Sequence, residues 1–171
     1  MNRPGPLPDG RGSEHSANKN ILTRQDLLAL RHHWKQEGIT VVFTNGCYDI
    51  LHPGHIRLLE SARSKGDILI LALNTDLSVQ RMKGPQRPLV NENDRAQLAS
   101  MLQAVDAVTF FDEDTPRELI AAILPDILVK GADWTHFVAG REEVEASGGR
   151  VETIPLEPGF STTNIVRSIL S

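Results

Sequence analysis

The sequence of 171 residues contains a single cysteine, Cys47, and only 5% of its residues are aromatic. One cysteine excludes an intramolecular disulfide and the paired-cysteine frameworks of structural zinc sites. No apolar stretch approaches the roughly 20 residues that a membrane-spanning helix needs. Residues 1–20 also lack the apolar segment of a secretory signal. We therefore expect a cytoplasmic protein that does not enter a membrane.

Positive charge is not in excess, since 18 Lys and Arg stand against 22 Asp and Glu and give a net charge of −4 at pH 7. Nucleic-acid-binding domains usually carry a basic surplus, so nucleic acid is not an expected partner. The hydrophobic fraction of 40% is ordinary for a globular domain. An acidic total still leaves room for a local basic pocket that binds phosphates.

The first 20 residues differ in composition from the rest of the chain. They contain three prolines and three glycines, and Leu7 is their only branched apolar side chain. Such a segment cannot bury enough surface to offset the entropy of ordering it. We expect residues 1–20 to form a disordered N-terminal tail and residues 21–171 to form a single domain.

The segment 21–171 alternates between strand-like and helix-like patterns. Strands that are apolar throughout are predicted at 39–44, 67–73, 107–111, 127–130 and 151–155. Helices are predicted at 24–37, 55–65, 92–104, 141–147 and 162–170, and another begins at a Thr115 cap; residues 81–90 are predicted to be a loop. The alternation predicts an α/β fold, a Rossmann-like parallel five-stranded sheet with helices on both faces. Ligands bind such sheets at the carboxyl ends of the strands.

The segment TNGCYDILHPGH follows the first predicted strand and ends at His55. It matches neither the GxGxxG fingerprint of a dinucleotide-binding dehydrogenase nor a Walker A loop. Pro53 suits a first helical turn, and Gly54 lets a ligand approach the backbone. His52 and His55 are three residues apart and would face the same way. Since free N–H groups of a first turn attract anions, the pattern predicts a phosphate socket.

A metal site is the alternative interpretation of the same segment. Cys47, Asp49, His52 and His55 are all side chains that can ligate zinc. Under this interpretation the chain would be a non-catalytic zinc-binding protein. A non-catalytic nucleotide-sensing regulator is a further alternative.

The HPGH sequence resembles the HxGH motif of the nucleotidylyltransferase superfamily. The longer stretch is similar to the heptose 1-phosphate adenylyltransferase branch of that superfamily. Further segments follow in the order of that branch: 74–76 (NTD), 81–84 (RMKG), 87–88 (RP), 93–95 (NDR), 130–133 (KGAD) and 159–165 (GFSTTNI). The resemblance extends from about residue 21 to the C-terminus.

The resemblance implies a nucleotidylyltransferase-type fold and a specific reaction. ATP and D-glycero-β-D-manno-heptose 1-phosphate would give ADP-heptose and pyrophosphate, a step in lipopolysaccharide biosynthesis. His52 and His55 would donate hydrogen bonds to the α- and β-phosphate oxygens. Lys83, in a flexible loop, would be a mobile cation that closes over the phosphates. Mg²⁺ would be bound mainly through the ATP phosphates, without protein ligands.

The resemblance also implies two groups of binding residues. The nucleotide would contact Asn45, Gly46, Cys47, Tyr48, Gly54, Gly131, Asp133, Ser161, Thr162 and Thr163. The sugar phosphate would be bound, or the site ordered, by Asp49, Asn74, Asp76 and Arg95. In this family the domain often follows a sugar-kinase domain, for which this sequence has no room. We therefore expect a stand-alone adenylyltransferase that depends on a separate heptose kinase. The resemblance also implies a homodimer.

The nearest rival function is that of a cytidylyltransferase acting on glycerol 3-phosphate or a similar alcohol phosphate. Those relatives typically carry an arginine where this chain has Leu156, and threonine where it has Cys47. Both departures favour the heptose branch.

Overall fold

The computed structural model describes residues 20–131, 138–155 and 162–170. All but one residue of the predicted tail lies outside these ranges, and so do Asp133 and Ser161.

The described residues form five strands and seven helices, which alternate along the chain except that two helices lie between the second and third strands. The strands are β1 (Val41–Gly46), β2 (Ile68–Asn74), β3 (Ala107–Phe111), β4 (Ile127–Gly131) and β5 (Arg150–Ile154). The helices are α1 (Arg24–Gln36), α2 (Pro53–Arg63), α3 (Asp76–Lys83), α4 (Glu92–Ser100), α5 (Arg117–Ile123), α6 (Arg141–Ala146) and α7 (Thr162–Leu170).

The strands pair in parallel in the order β3-β2-β1-β4-β5. Because side chains alternate along a strand, Val41 and Phe43 pack on one face of the sheet and Val42 packs on the other. Helices α1, α5 and α6 cover the first face, whereas α2 and α4 cover the second. The predicted fold, a parallel five-stranded sheet with helices on both faces, is confirmed.

Helix α3 corrects the prediction of a loop at 81–90. The Thr75 side chain caps α3 by accepting from the Ser78 N–H, and the helix continues to Lys83. Its buried residues are Ser78 and Val79, and Ser78 receives a 3.0 Å hydrogen bond from Asn74. Because α3 buries only one serine and one valine, its sequence lacks the apolar periodicity by which helices are predicted. Lys83 is therefore the last residue of a helix and not part of a flexible loop.

Other predicted helix ends hold in part. Helices α1 and α4 begin at the predicted residues 24 and 92, where the side chains of Thr23 and Asn91 cap them. Helix α4 ends at Ser100, four residues early, in a turn that leads into β3. The Thr115 cap is wrong, because Pro116 itself occupies the N-cap position of α5 and no side chain caps that helix.

Within the part of the chain that the structure describes, no helix combines the length and the apolar character that a membrane span requires.

Candidate active site

The loop between β1 and α2 bends sharply at Tyr48, whose φ is +48°. The Tyr48 side chain is buried and hydrogen-bonds the side chain of Thr44, and its burial raises the pKa of the phenol far above the ordinary value. A Cβ added to Gly46 would lie 2.9 Å from the Tyr48 ring. Glycine is therefore required at position 46 for the Tyr48 ring to lie against the end of β1.

Helix α2 begins with a histidine as its cap. His52 has extended backbone angles, Pro53 follows at the first helical position, and His52 Nδ1 accepts from the His55 N–H at 3.3 Å. Because Nδ1 is an acceptor in this contact, the proton of neutral His52 resides on Nε2. The cap thus fixes the tautomer of His52 as well as the start of α2.

The two histidine rings are stacked, with centroids 3.7 Å apart and an interplanar angle of 16°. The ring of Tyr48 lies on His55 with a centroid distance of 4.6 Å and a tilt of 41°. His55 Nδ1 is buried and has no hydrogen-bond partner within the described residues. The first turn of α2 therefore holds both imidazoles as one packed unit, as the spacing predicts.

Burial and neighbouring charge keep both imidazoles neutral near pH 7. Burial, together with the smaller effects of the charges of His52 and Lys83, lowers the pKa of His55 to about 4. Burial also lowers the pKa of His52. The charge of Lys83, at the end of α3, thus contributes to the lowered pKa of His55.

Arg95 joins four segments around this loop. Its side chain is fully buried and donates to three carbonyls, those of Val90 (2.9 Å), Cys47 (2.6 Å) and Asn74 (2.9 Å). It also donates to Asp76 Oδ1 at 2.7 Å. The structure therefore pairs Arg95 with groups of the protein itself, which is in line with the ordering of the site, one of the two roles expected for it.

Asp49 connects the same loop to the segment 84–91. Its buried carboxylate accepts from Arg87 Nε at 2.6 Å and from the backbone N–H groups of Leu89 (2.7 Å) and Val90 (2.9 Å). The side chain of Asp49 is 1% exposed. Asp49 thus connects the loop at 47–52, here called the histidine loop, to the chain that follows α3 through these hydrogen bonds.

The side chains at the end of β2 are also occupied by the protein. Asn74 is 3% exposed and contacts Ser78, and its Oδ1 accepts weakly from Cys47 Sγ at 3.7 Å. The Asp76 N–H donates to Glu92 at 2.6 Å. Cys47, Asn74, Asp76 and Arg95 therefore form one hydrogen-bonded group behind the loop.

The end of β4 holds a residue of the KGAD segment for which no role of its own was predicted from the sequence. Lys130 is 9% exposed and donates to Asn45 Oδ1 at the end of β1. A charged residue that closes an otherwise apolar strand was the available signal. Gly131 ends β4, and Thr162 begins α7. The Thr163 side chain, like Asp133 and Ser161, lies outside what the structure describes.

The described part of the chain contains no site of the kind that the zinc interpretation requires. No three His, Cys, Asp or Glu side chains there are grouped to hold a metal ion. Of the four ligands considered, Asp49 is paired with Arg87, and Cys47 donates to Asn74.

The chain matches the family described as Cytidylyltransferase-like over residues 43–168. The bifunctional protein HldE of Methylobacillus flagellatus is 52% identical over 152 residues, which are 88% of this chain and 31% of that protein. The HldE protein of Acidiphilium cryptum is 48% identical over 170 residues, 99% of this chain and 35% of that protein. The chain spans about a third of the length of these curated relatives.

Two solved structures share the fold. The lipopolysaccharide core biosynthesis protein of Thermoplasma volcanium is 30% identical with a TM-score of 0.58, over 70% of this chain and 98% of that chain. Pantoate-β-alanine ligase of Francisella tularensis has a TM-score of 0.60 over 86% of this chain and 76% of that chain; at 14% identity it shows the fold alone. The family match and the HldE relatives confirm the predicted superfamily and do not favour a non-catalytic module. The chain therefore belongs to the cytidylyltransferase-like family and is a nucleotidyltransferase.

Proposed function

We propose that the chain transfers AMP from ATP to D-glycero-β-D-manno-heptose 1-phosphate and so forms ADP-heptose and pyrophosphate. The observation that carries the proposal is the stacked pair of His52 and His55 at the start of α2, at the carboxyl edge of the sheet. The choice of substrate is supported by the identity of about half of the residues with the HldE proteins over most of this chain.

The proposed reaction is an in-line displacement at the α-phosphorus of ATP. An oxygen of the sugar phosphate forms the new bond, and the bond from the α-phosphorus to the oxygen that bridges to the β-phosphorus breaks. Because the nucleophile is already an anion, no proton has to be removed from it. The protein then contributes positioning and stabilisation of charge in the transition state.

The two histidines would act as neutral hydrogen-bond donors. The cap contact leaves the proton of His52 on Nε2. In His55, the buried Nδ1 has no partner among the described residues, so Nε2 is the nitrogen that would carry its proton toward a phosphate oxygen. Two parallel Nε2–H groups would thus face the triphosphate from the first turn of α2. Removing one such transition-state donor typically costs a factor of about 10² to 10³ in rate.

Lys83 would supply the mobile positive charge on the opposite side of the phosphates. It is exposed at the end of α3, and its charge already acts on His55. Gly84 follows with φ +94°, so the chain turns away from the helix there. Exposure and this position let the long side chain reach a bound triphosphate.

Asp49, Asn74 and Arg95 would act by ordering the site. Their polar atoms are bound to other parts of the protein, and each side chain is at most 3% exposed. Contacts to the nucleotide would come from the segment 45–48, Gly54, Gly131 and the start of α7. Asp133, Ser161 and Thr163 complete the proposed nucleotide set.

Mg²⁺ would be held by the β- and γ-phosphate oxygens of ATP and by water. The carboxylates of Asp49, within the loop between β1 and α2, and of Asp76, at the start of α3, already pair with arginines. This arrangement fits a metal that the substrate brings with it. When bound, Mg²⁺ neutralises charge on the leaving pyrophosphate.

We also propose a cytoplasmic homodimer whose sugar 1-phosphate is supplied by a separate heptose kinase. A cytoplasmic location gives the enzyme direct access to ATP.

Pyrophosphate release tests this function when ATP and CTP are each offered with heptose 1-phosphate and with glycerol 3-phosphate. The proposal expects turnover with ATP and heptose 1-phosphate to exceed the other three combinations. The H52N variant serves as a chemical blank, because asparagine can still cap α2. Turnover only with CTP and glycerol 3-phosphate, or none with the heptose substrate under either nucleotide, would overturn the proposal.

A further inference from the structure

A buried lysine stands where the strand order of the sheet reverses. The chain passes from β1 to β2 and β3 on one side, and then crosses to β4 and β5 on the other. In open α/β sheets, ligands bind in the crevice beyond the carboxyl ends of the strands at such a reversal. Lys130 lies at that end of β4 and is 9% exposed.

The pairing of β1 with β4 shows that the sheet opens at this point. Strands β1 and β2 stay paired as far as Gly46 and Leu73. In contrast, the pairing of β1 with β4 ends at Phe43 and Leu128. Two residues further along both strands come Asn45 and Lys130, which side-chain alternation places on the same face. Their side-chain hydrogen bond therefore bridges two strand ends that have separated.

The contact fixes the orientation of the Asn45 amide. A lysine ammonium has three donors and no acceptor, so the atom of Asn45 that faces it must be the carboxamide oxygen. The two N–H donors of the amide are then directed away from Lys130. Within the described part of the chain, the Asn45 side chain has no partner other than Lys130. A cation on the oxygen also polarises the amide and strengthens its N–H groups as donors.

We infer that Lys130 is a positioning residue that holds the Asn45 amide with its N–H groups toward an acceptor oxygen of a bound nucleoside triphosphate. The inference rests on the proposed function for the identity of the ligand, but not on the sugar substrate. Burying an ammonium is costly, and a role confined to packing would be served by an apolar side chain of the same length. The inferred role also explains why Asn45 and Lys130 occur together at the splayed ends.

The test compares nucleotide affinity with stability in variants of the full chain. N45D keeps an oxygen for Lys130 and nearly the same shape, but it replaces the N–H donors by an anionic oxygen. We expect N45D to melt close to wild type and to weaken the Kd for ATP by about tenfold or more in calorimetric titration. K130M should weaken the Kd by a smaller factor, and K130R should restore part of the loss.

A double-variant cycle separates positioning from independent contributions. Once Asn45 is replaced by alanine, K130M should have little further effect on the Kd, because Lys130 acts through the amide. K65M is the matched control, since Lys65 pairs with Glu152 at 2.5 Å. This control should leave the Kd unchanged.

Three outcomes would overturn the inference. The Kd of N45D for ATP could equal that of wild type, K130M could lower the melting temperature without changing the Kd, or the wild-type chain could bind neither ATP nor CTP. If K130M does not fold, N45D alone decides. If binding responds as expected but heptose 1-phosphate is not a substrate, the proposed function fails and this inference stands.

Discussion

Replacing Arg95 by methionine separates the two roles that the sequence left open for this side chain. In the structure Arg95 is fully buried and donates to the carbonyls of Cys47, Asn74 and Val90 and to the carboxylate of Asp76. Methionine keeps the apolar stem and removes every donor. If Arg95 orders the site, removing its hydrogen bonds should lower the free energy of unfolding of the protein.

The expected size follows from these contacts. A buried polar group that loses its partner costs about 1–3 kcal/mol, and breaking a buried ion pair on one side costs about 3–5 kcal/mol. Asp76 is 30% exposed, so water offsets part of its loss. We therefore expect R95M to lower the free energy of unfolding by about 4 kcal/mol. That is a large share of the 5–15 kcal/mol that is typical of whole domains.

Urea unfolding followed by far-UV circular dichroism measures this change. R117M is the matched control, because Arg117 pairs with Glu142 and Glu143 at the surface and is 53% exposed. Such an exposed pair should contribute less than about 1 kcal/mol. The reasoning is refuted if R95M unfolds within about 1 kcal/mol of wild type while turnover is lost, because Arg95 would then serve the substrate directly.

Three further predictions follow from the same loop. G46A places a Cβ 2.9 Å from the Tyr48 ring and should cost about 1–3 kcal/mol by thermal unfolding; an unchanged melting temperature would contradict the packing described. D49N removes the buried charge that pairs with Arg87 and should expose the segment 84–91 to limited proteolysis; a variant as resistant as wild type would contradict this. The pKa of His55 is lowered in the folded state from 6.5 to about 4, so the native protein binds fewer protons than the unfolded chain in that window. Stability should be complete above pH 6.5 and fall as the pH drops towards 4, with a shallower slope in H55Q; equal slopes would argue against the lowered pKa.

The framework of the fold could be predicted because its central strands are mostly buried and apolar, although β5 at the sheet edge is partly exposed. β2 is buried along its whole length, and such a run has few alternatives to a central parallel strand. Helix α3 could not be predicted in this way. Its stability comes from the Thr75 cap and the buried Asn74–Ser78 contact, which leave no apolar stripe in the sequence.

The site could be predicted in its residue types but not in all of their partners. The spacing of His52 and His55 was sufficient to place both on one turn, because a helix start constrains neighbours in sequence. Arg95, by contrast, meets Cys47 and Asn74 across 48 and 21 residues. Contacts of that range depend on how the loops fold over the sheet edge. The same holds for Lys130 and Asn45, which only the strand order brings together.

The most direct test of the central claim is the rate of ADP-heptose formation by H55N compared with wild type, at saturating ATP and heptose 1-phosphate. Asparagine removes the ring that stacks on His52 and with it the Nε2–H donor. The account predicts a fall in kcat of about 10² to 10³ with a retained far-UV spectrum. A rate within threefold of wild type would show that the stacked imidazoles are not the groups that act on the triphosphate.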